Sequence, residues 1–318
     1  MSLTRCTGTV ILVMAVAVVG AARAQAQTCG FSISPMSFGP DIDTLSSSAA
    51  DTTATLSYNC SNGTPSDRVL ICVELGEGSV SPSGNARRMS GGSSYLLYQL
   101  YANSERTIIW GSAGTGYPPV SIAVTLDGNG SVSNNLAIYG RVFGGQSTAE
   151  ATTYTSDFTG NDVDIRYRVT NNDDCSAGSG SSGGAVSFTV SGTVAPKCMV
   201  STAPVNFGSH SALISNIDAV GSVSVTCTPA TNYAIRLDGG HAAAAPTARK
   251  MFKGSDTITY GLYRNPERNQ PWGDTEGATA QSTGSGNAQP HPVYGRVGPQ
   301  STPPPGTYTD TVVVIVDY

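Results

Sequence analysis

Residues 185–198 read AVSFTVSGTVAPKC. Val186, Phe188, Val190 and Val194 alternate with small or polar residues, so the apolar side chains share one face with a period of two. That is the pattern of a half-buried β-strand. A Gly/Ser run, SAGSGSSGG (176–184), precedes it and Cys198 follows it. The strand lies at a seam in the chain. It is either the last strand of what comes before or the first strand of what comes after.

The surrounding sequence is that of an all-β protein. Of 318 residues only 12% are charged, and Val, Thr, Tyr and Ile recur in short alternating stretches between Gly, Asn, Asp and Pro. Long runs of helix formers are missing, and turns are frequent. The length suits two domains. A net charge of −5 argues against nucleic acid as a partner.

The first 26 residues read as a signal peptide that is cleaved. Arg5 supplies the positive start, VILVMAVAVVG (10–20) is an apolar core too short to span a bilayer, and Ala24-Gln25-Ala26 fits the cleavage pattern. Cys6 is lost with it. Six cysteines remain in an exported chain: Cys29, Cys60, Cys72, Cys175, Cys198 and Cys227. An even number in that setting implies disulfides. Zinc is the competing reading, but there is no C-x-x-C pair and His210, His241 and His291 are scattered. No metal or cofactor is expected.

The chain also repeats itself. Cys29-x8-Phe38-Gly39 matches Cys198-x8-Phe207-Gly208, with Pro35 and Pro204 six residues after each cysteine. Cys60 and Cys227 follow. Arg87-Arg88-Met89 is answered by Arg249-Lys250-Met251, and Tyr98-x-Leu100-Tyr101 by Tyr260-x-Leu262-Tyr263. Asn103, Glu105 and Arg106 correspond to Asn265, Glu267 and Arg268, and Trp110-Gly111 to Trp272-Gly273. Tyr139-Gly140-Arg141-Val142 returns as Tyr294-Gly295-Arg296-Val297. Tyr154-Thr-Ser-Asp157 is answered by Tyr308-Thr-Asp310. Spacing drifts only between blocks, where loops absorb length changes. The chain is therefore two homologous β-sandwiches. The repeat suggests pairing Cys29 with Cys60 and Cys198 with Cys227, leaving Cys72 for Cys175; other connectivities fit the sequence as well.

The pattern C…F-G…C…M…Y-x-L-Y…W-G…Y-G…G-x-Y-x-D, with a closing strand after it, resembles the spore coat protein U domain family, twice over. The second copy, ending PGTYTDTVVVIVDY (305–318), is the closer match; the first lacks the Pro-Gly before Tyr154 and has longer loops. The resemblance implies two tandem immunoglobulin-like sandwiches that each lack a final strand of their own. In archaic chaperone–usher pili, which such domains serve, a neighbour's N-terminal segment supplies that strand. It also implies a periplasmic chaperone, an outer-membrane usher and an adjacent pilin subunit as partners.

In this family the donor segment lies just before the first cysteine, and residues 185–195 hold that place before Cys198. Being internal, they are expected to complete the first domain in cis, with Val186, Phe188, Val190 and Val194 facing its core. The expected organisation is a signal peptide (1–26), an N-terminal adhesin domain (27–195) and a C-terminal pilin domain (196–318) whose own final strand is missing. With only Gln27 and Thr28 before Cys29, the chain would accept a strand and have none to give, as at a pilus tip. The expectation is a tip adhesin at the cell surface, acting in adhesion and biofilm formation through a surface or host ligand. Two loops are candidates to bind it: SAGTGYPPVS (112–121), with Tyr117, Pro118 and Pro119, and GEGSVSPSGNA (76–86).

Two other classes compete with this reading. An enzyme is disfavoured because the first domain has no histidine to serve as base, and GSAGTG (111–116) lacks the Lys-Ser/Thr and helix of a phosphate loop. A secreted coat protein outside any pilus would have to close the second domain's groove from its own chain.

Overall fold

The computed structural model describes residues 26–175 and 180–318. The signal-peptide reading, apart from Ala26, lies outside them, as do residues 176–179 of the Gly/Ser run. The first part of the chain forms β1 (Thr28–Ile33), β2 (Met36–Ser37), β3 (Ala50–Ser61), β4 (Arg68–Leu75), β5 (Arg87–Gly91) and β6 (Ser94–Tyr101). It continues with β7 (Val120–Thr125), β8 (Val132–Val142), β9 (Thr153–Phe158), β10 (Val163–Val169), β11 (Ser181–Ser182) and β12 (Phe188–Thr193). The second part forms β13 (Cys198–Ala203), β14 (Ile217–Cys227), β15 (Asn232–Leu237) and β16 (Arg249–Lys253). It ends with β17 (Asp256–Tyr263), β18 (Ala280–Thr283), β19 (Gln289–Val297) and β20 (Val314–Asp317). A single 3-10 turn, Gly160–Asp162, is the one helical element among the described residues.

These strands make two sandwiches. In the first, a sheet ordered β1-β3-β8-β6-β5-β9-β12-β2 faces one ordered β11-β10-β4-β7. In the second, β13-β14-β19-β17-β16 faces β18-β15-β20. Each sandwich has its own apolar core, built by side chains that alternate inward along the strands.

The repeated residues make the same contacts in both halves. Trp110 and Trp272 are buried, and each indole N–H bridges the sheets by donating to a carbonyl, Val73 O at 2.9 Å and Ile235 O at 3.0 Å. Gly140 and Gly295 let the segment after the first cysteine lie directly on the sheet. A Cβ there would strike Met36 Sδ at 2.4 Å, or Val205 Cγ1 at 2.7 Å. Arg106 and Arg268 adopt left-handed φ values of 56° and 57° and donate to the carbonyls of those same glycines. Cys29 is bonded to Cys60 and Cys198 to Cys227, each tying an edge strand to its neighbour, and Cys72 is bonded to Cys175.

Two buried arginines, which the sequence shows only as repeat markers, anchor the sheet ends. Arg87 donates to the carbonyls of Gly76, Leu75 and Trp110 at 2.7, 2.7 and 2.8 Å, and to the Gln99 side chain. Arg249 does the same for Asp238, Leu237 and Trp272. Desolvation pushes the Arg87 pKa down to about 10, yet the cation is held by these oxygens.

The junction between the sandwiches is three residues long, Ala195-Pro196-Lys197. Val194 is bridged to Ile42, and Lys197 Nζ lies 3.2 Å from Asp41 and 3.4 Å from Asp43. The Lys197 and Thr228 main chains are joined through Thr228 N–H, and Ala151 N–H donates to Pro229 O. The short link is thus fixed on both sides.

Asp51 lies between Arg141 (2.7 Å) and Arg106 (3.3 Å), and Asp218 between Arg296 (2.7 Å) and Arg268 (3.2 Å). The hydrogen bond from Arg141 or Arg296, with the charge of the second arginine, holds each carboxyl below its ordinary value. Carboxyls with lowered folded pKa stabilise the native state above the unfolded value of 3.8, and that contribution is lost as pH falls through the folded value. Replacing both, Asp51→Asn with Asp218→Asn, should lower the urea midpoint at neutral pH and flatten its decline below pH 3.8. An unchanged acid slope would assign the pH dependence to other groups.

Candidate functional site

β12 sits between two partners. It runs antiparallel to β9, with Phe188 opposite Phe158 and Thr193 opposite Thr153, and parallel to β2, with Val190 opposite Met36. Phe188, Val190 and Val194 are buried, as is Val186 just before the strand. The Phe188 ring stacks on Phe158 at 4.5 Å between centroids. Gly192 completes the inward face where space runs out, since a Cβ there would meet Ile42 at 2.6 Å. The strand closes the first sandwich as both its backbone partner and part of its core.

The second sandwich has the same frame without that strand. Thr309 pairs with Phe252 of β16, just as Thr155 of β9 pairs with Ser90 of β5. On the far side of residues 307–312 there is no strand among the described residues, and Val205-Asn206, which correspond to β2, are unpaired. The wall residues show the effect. Met36, Met89, Leu96, Tyr154 and Phe158 are buried to 0% exposure, whereas Val205, Met251, Ile258, Tyr308 and Val312 at the matching positions are half-buried. The result is an apolar slot flanked by main chain, the kind of edge that pairs with a strand.

The terminal strands of the two halves keep the same register, and the aspartates of the repeat fall one residue apart on it. Tyr154 and Tyr308 each donate to the carbonyl four residues back, Glu150 O and Pro304 O. Two residues on, Asp310 accepts from Tyr260 at 2.6 Å, and burial followed by this bond raises the tyrosine pKa. Its counterpart is Ser156, not Asp157. The Ser156 and Tyr98 hydroxyls are both buried and face each other, and Tyr98 is pushed up to about 12 by burial. Asp157 lies on the outer face, where it accepts from Thr189 of β12.

The structure brings the two candidate loops together. Residues 112–119 fold back over Gly111, whose N–H donates to Pro118 O and where a Cβ would meet Tyr117 at 2.4 Å. Tyr117 thereby reaches the 76–86 loop, and the two line a cavity of about 280 Å³ with Gln99 and Arg87 at its wall. Pro118 is exposed and Pro119 half-buried; neither lines the cavity. The histidines do not converge. His210 contacts Phe207 O, His241 meets the Phe252 ring, and His291 is bonded to Tyr233, with burial lowering its pKa. Among the described residues no group of three or more His, Cys, Asp or Glu side chains is placed to hold a metal.

Comparison with known proteins gives three findings. The Spore Coat Protein U domain profile matches residues 15–161 and again 185–315, so β12 belongs by sequence to the second repeat although it packs in the first core. Protein U of Myxococcus xanthus is 35% identical over 151 residues, spanning 45% of this chain and 77% of that protein. Among solved structures, the tip subunit in the CsuC-CsuE pre-assembly complex of the archaic chaperone–usher Csu pili of Acinetobacter baumannii is similar in fold. Its TM-score is 0.53 at 18% identity, over 92% of this chain and 100% of that one. The CupB6 tip adhesin of Pseudomonas aeruginosa aligns over 91% of this chain and 94% of its own at 10% identity, with a TM-score of 0.40.

Two outcomes follow from the contrast between halves. Phe188→Ala, read by Trp110 fluorescence in a Trp272→Phe background, should destabilise the first sandwich by about 3–5 kcal/mol. In hydrogen exchange of the isolated chain, the amides of Tyr154, Ser156 and Phe158, which face β12, should be protected, and those of Tyr308, Asp310 and Val312 should exchange fast, while Thr309 is held by Phe252. Equal protection in the two segments would mean that the second slot is closed.

Proposed function

The chain belongs to the Spore Coat Protein U domain family, and from that premise we propose that it is the tip subunit of an archaic chaperone–usher pilus, acting in adhesion and biofilm formation. The observation that carries the proposal is the difference between the two slots. The first is filled by β12, a segment that stands where the family places the strand given to a neighbour. The second, bounded by residues 307–312 and 205–206, is open. A subunit whose internal donor is committed to itself, and whose remaining groove accepts, has the connectivity of a fibre end.

On this reading the second sandwich is held by a periplasmic chaperone during export, passed to an outer-membrane usher, and completed by the N-terminal strand of the adjacent pilin subunit. The incoming strand must present alternate apolar side chains to Val205, Met251, Ile258 and Val312 while its backbone pairs with 307–312. The first sandwich, facing outward at the cell surface, carries the contacts to a surface or host ligand. No catalytic step is assigned.

The test is strand capture. The protein is mixed with a synthetic peptide of the N-terminal segment of a major pilin from the same cells and run on an SDS gel without boiling. The expected result is a stable complex that is abolished by Val312→Asp, with no capture of this chain's own strand by the pilin. A protein that is stable alone and takes up no donor would overturn the proposal in favour of a secreted coat protein that closes its own groove.

A further inference from the structure

We propose that the cavity between the 76–86 and 112–119 loops binds a neutral saccharide unit. The assignment rests on the adhesin reading of the first sandwich and names its ligand class.

The two halves form an internal control. Leu75 to Arg87 and Leu237 to Arg249 span the same number of residues, so the loops over the two buried arginines are equally long. In the second half that loop reads HAAAAPTA (241–248). Pro246 packs on Gly273, where a Cβ would lie 2.5 Å from the proline ring, and its carbonyl accepts from Arg249. Beside Gly239 the Ala243-Ala244 main chain takes up the space in the same way. In the first half, Glu77 and Asn85 replace Gly239 and Thr247, and Gln99 replaces Gly261. Tyr117 comes from a connection two residues longer than its counterpart, 110–120 against 272–280. The polar residues and the cavity they line thus belong to the same half.

Their bonding states suggest what they face. Glu77, Asn85 and Tyr117 line the cavity, and no hydrogen bond or ion pair joins their side-chain polar groups to a described residue. Gln99, at 2% exposure, is committed: its oxygen accepts from Arg87 and Leu100 N–H, and its amide donates to Asn85 O. Arg87 directs four of its five N–H groups to protein oxygens. The wall therefore sets polar side chains without protein partners beside a base whose hydrogen bonds are made within the protein.

Charge and size then narrow the ligand. The Glu77 carboxylate lies in the field of the buried Arg87 cation, so the two opposite charges of the wall offset one another and favour neither an anion nor a cation. An aliphatic ligand would strip water from the Glu77 and Asn85 groups without replacing it. A neutral molecule rich in hydroxyls satisfies them, and the Tyr117 ring offers an apolar face to the C–H side of a pyranose. A volume of 280 Å³ lies just below the usual range for small-molecule sites, the scale of one sugar residue.

The experiment uses the full mature chain on an array of defined glycans, followed by saturation-transfer NMR with the matching monosaccharides. Binding should select neutral terminal hexoses or N-acetylhexosamines over sialylated ones. Tyr117→Ala and Glu77→Gln should each weaken it at least tenfold, with the thermal midpoint and the donor-peptide capture unchanged. Retention of sialylated glycans only, retention of none, or binding that survives both substitutions would overturn the assignment. Because peptide capture is read on the same samples, a failure of the cavity is separable from a failure of the pilus reading.

Discussion

The structure depends on one constraint: a sandwich of this kind leaves a row of main-chain groups and a strip of core open unless a strand is laid between residues 153–158 and 36–37. β12 meets both needs at once. Its backbone completes the ladder to β9 and β2, and Phe188, Val190, Gly192 and Val194 fill the core. Neither contribution suffices alone, because unpaired backbone buried beside an apolar core is costly. The difference in closure between the two cores follows from the presence of that strand in one and the lack of a counterpart among the described residues of the other.

The repeat makes this comparison unusually direct. The disulfides between the first strand and its neighbour, the bridging tryptophans, the buried arginines and the Arg–Asp–Arg clusters are the same in both halves, so they do not explain why the second core is less closed. What remains is the slot. The buried arginines also clarify how the sheets are pinned where strands end: each satisfies carbonyls from two different segments, which no apolar side chain could do.

Much of this was legible in the sequence. The period-two pattern at 185–194 and the placement of six cysteines carried their own structural meaning, and the repeat aligned the halves residue by residue. Three things were not. The one-residue difference between Ser156 and Asp157 is invisible without strand direction, since both are small polar residues beside the same tyrosine. The anchoring role of Arg87 and Arg249 was hidden in the doublets Arg-Arg and Arg-Lys, although a basic residue two before an inward-facing Met, on the same face, is a signal for it. The cavity arises from loops some thirty residues apart. The departure of Gln99 from Gly261 inside the shared Y-x-L-Y motif was the mark that the halves differ there.

The three-residue junction has a mechanical consequence. β12 passes through Ala195-Pro196-Lys197 straight into β13, and Lys197 is held by Asp41, Asp43 and Thr228. Traction on the second sandwich, with the first held by its loops, is transmitted along the axis of β12. Its hydrogen bonds to β9 and β2 then lie across the direction of pull and share the load in shear, instead of parting one after another as in a peeled strand.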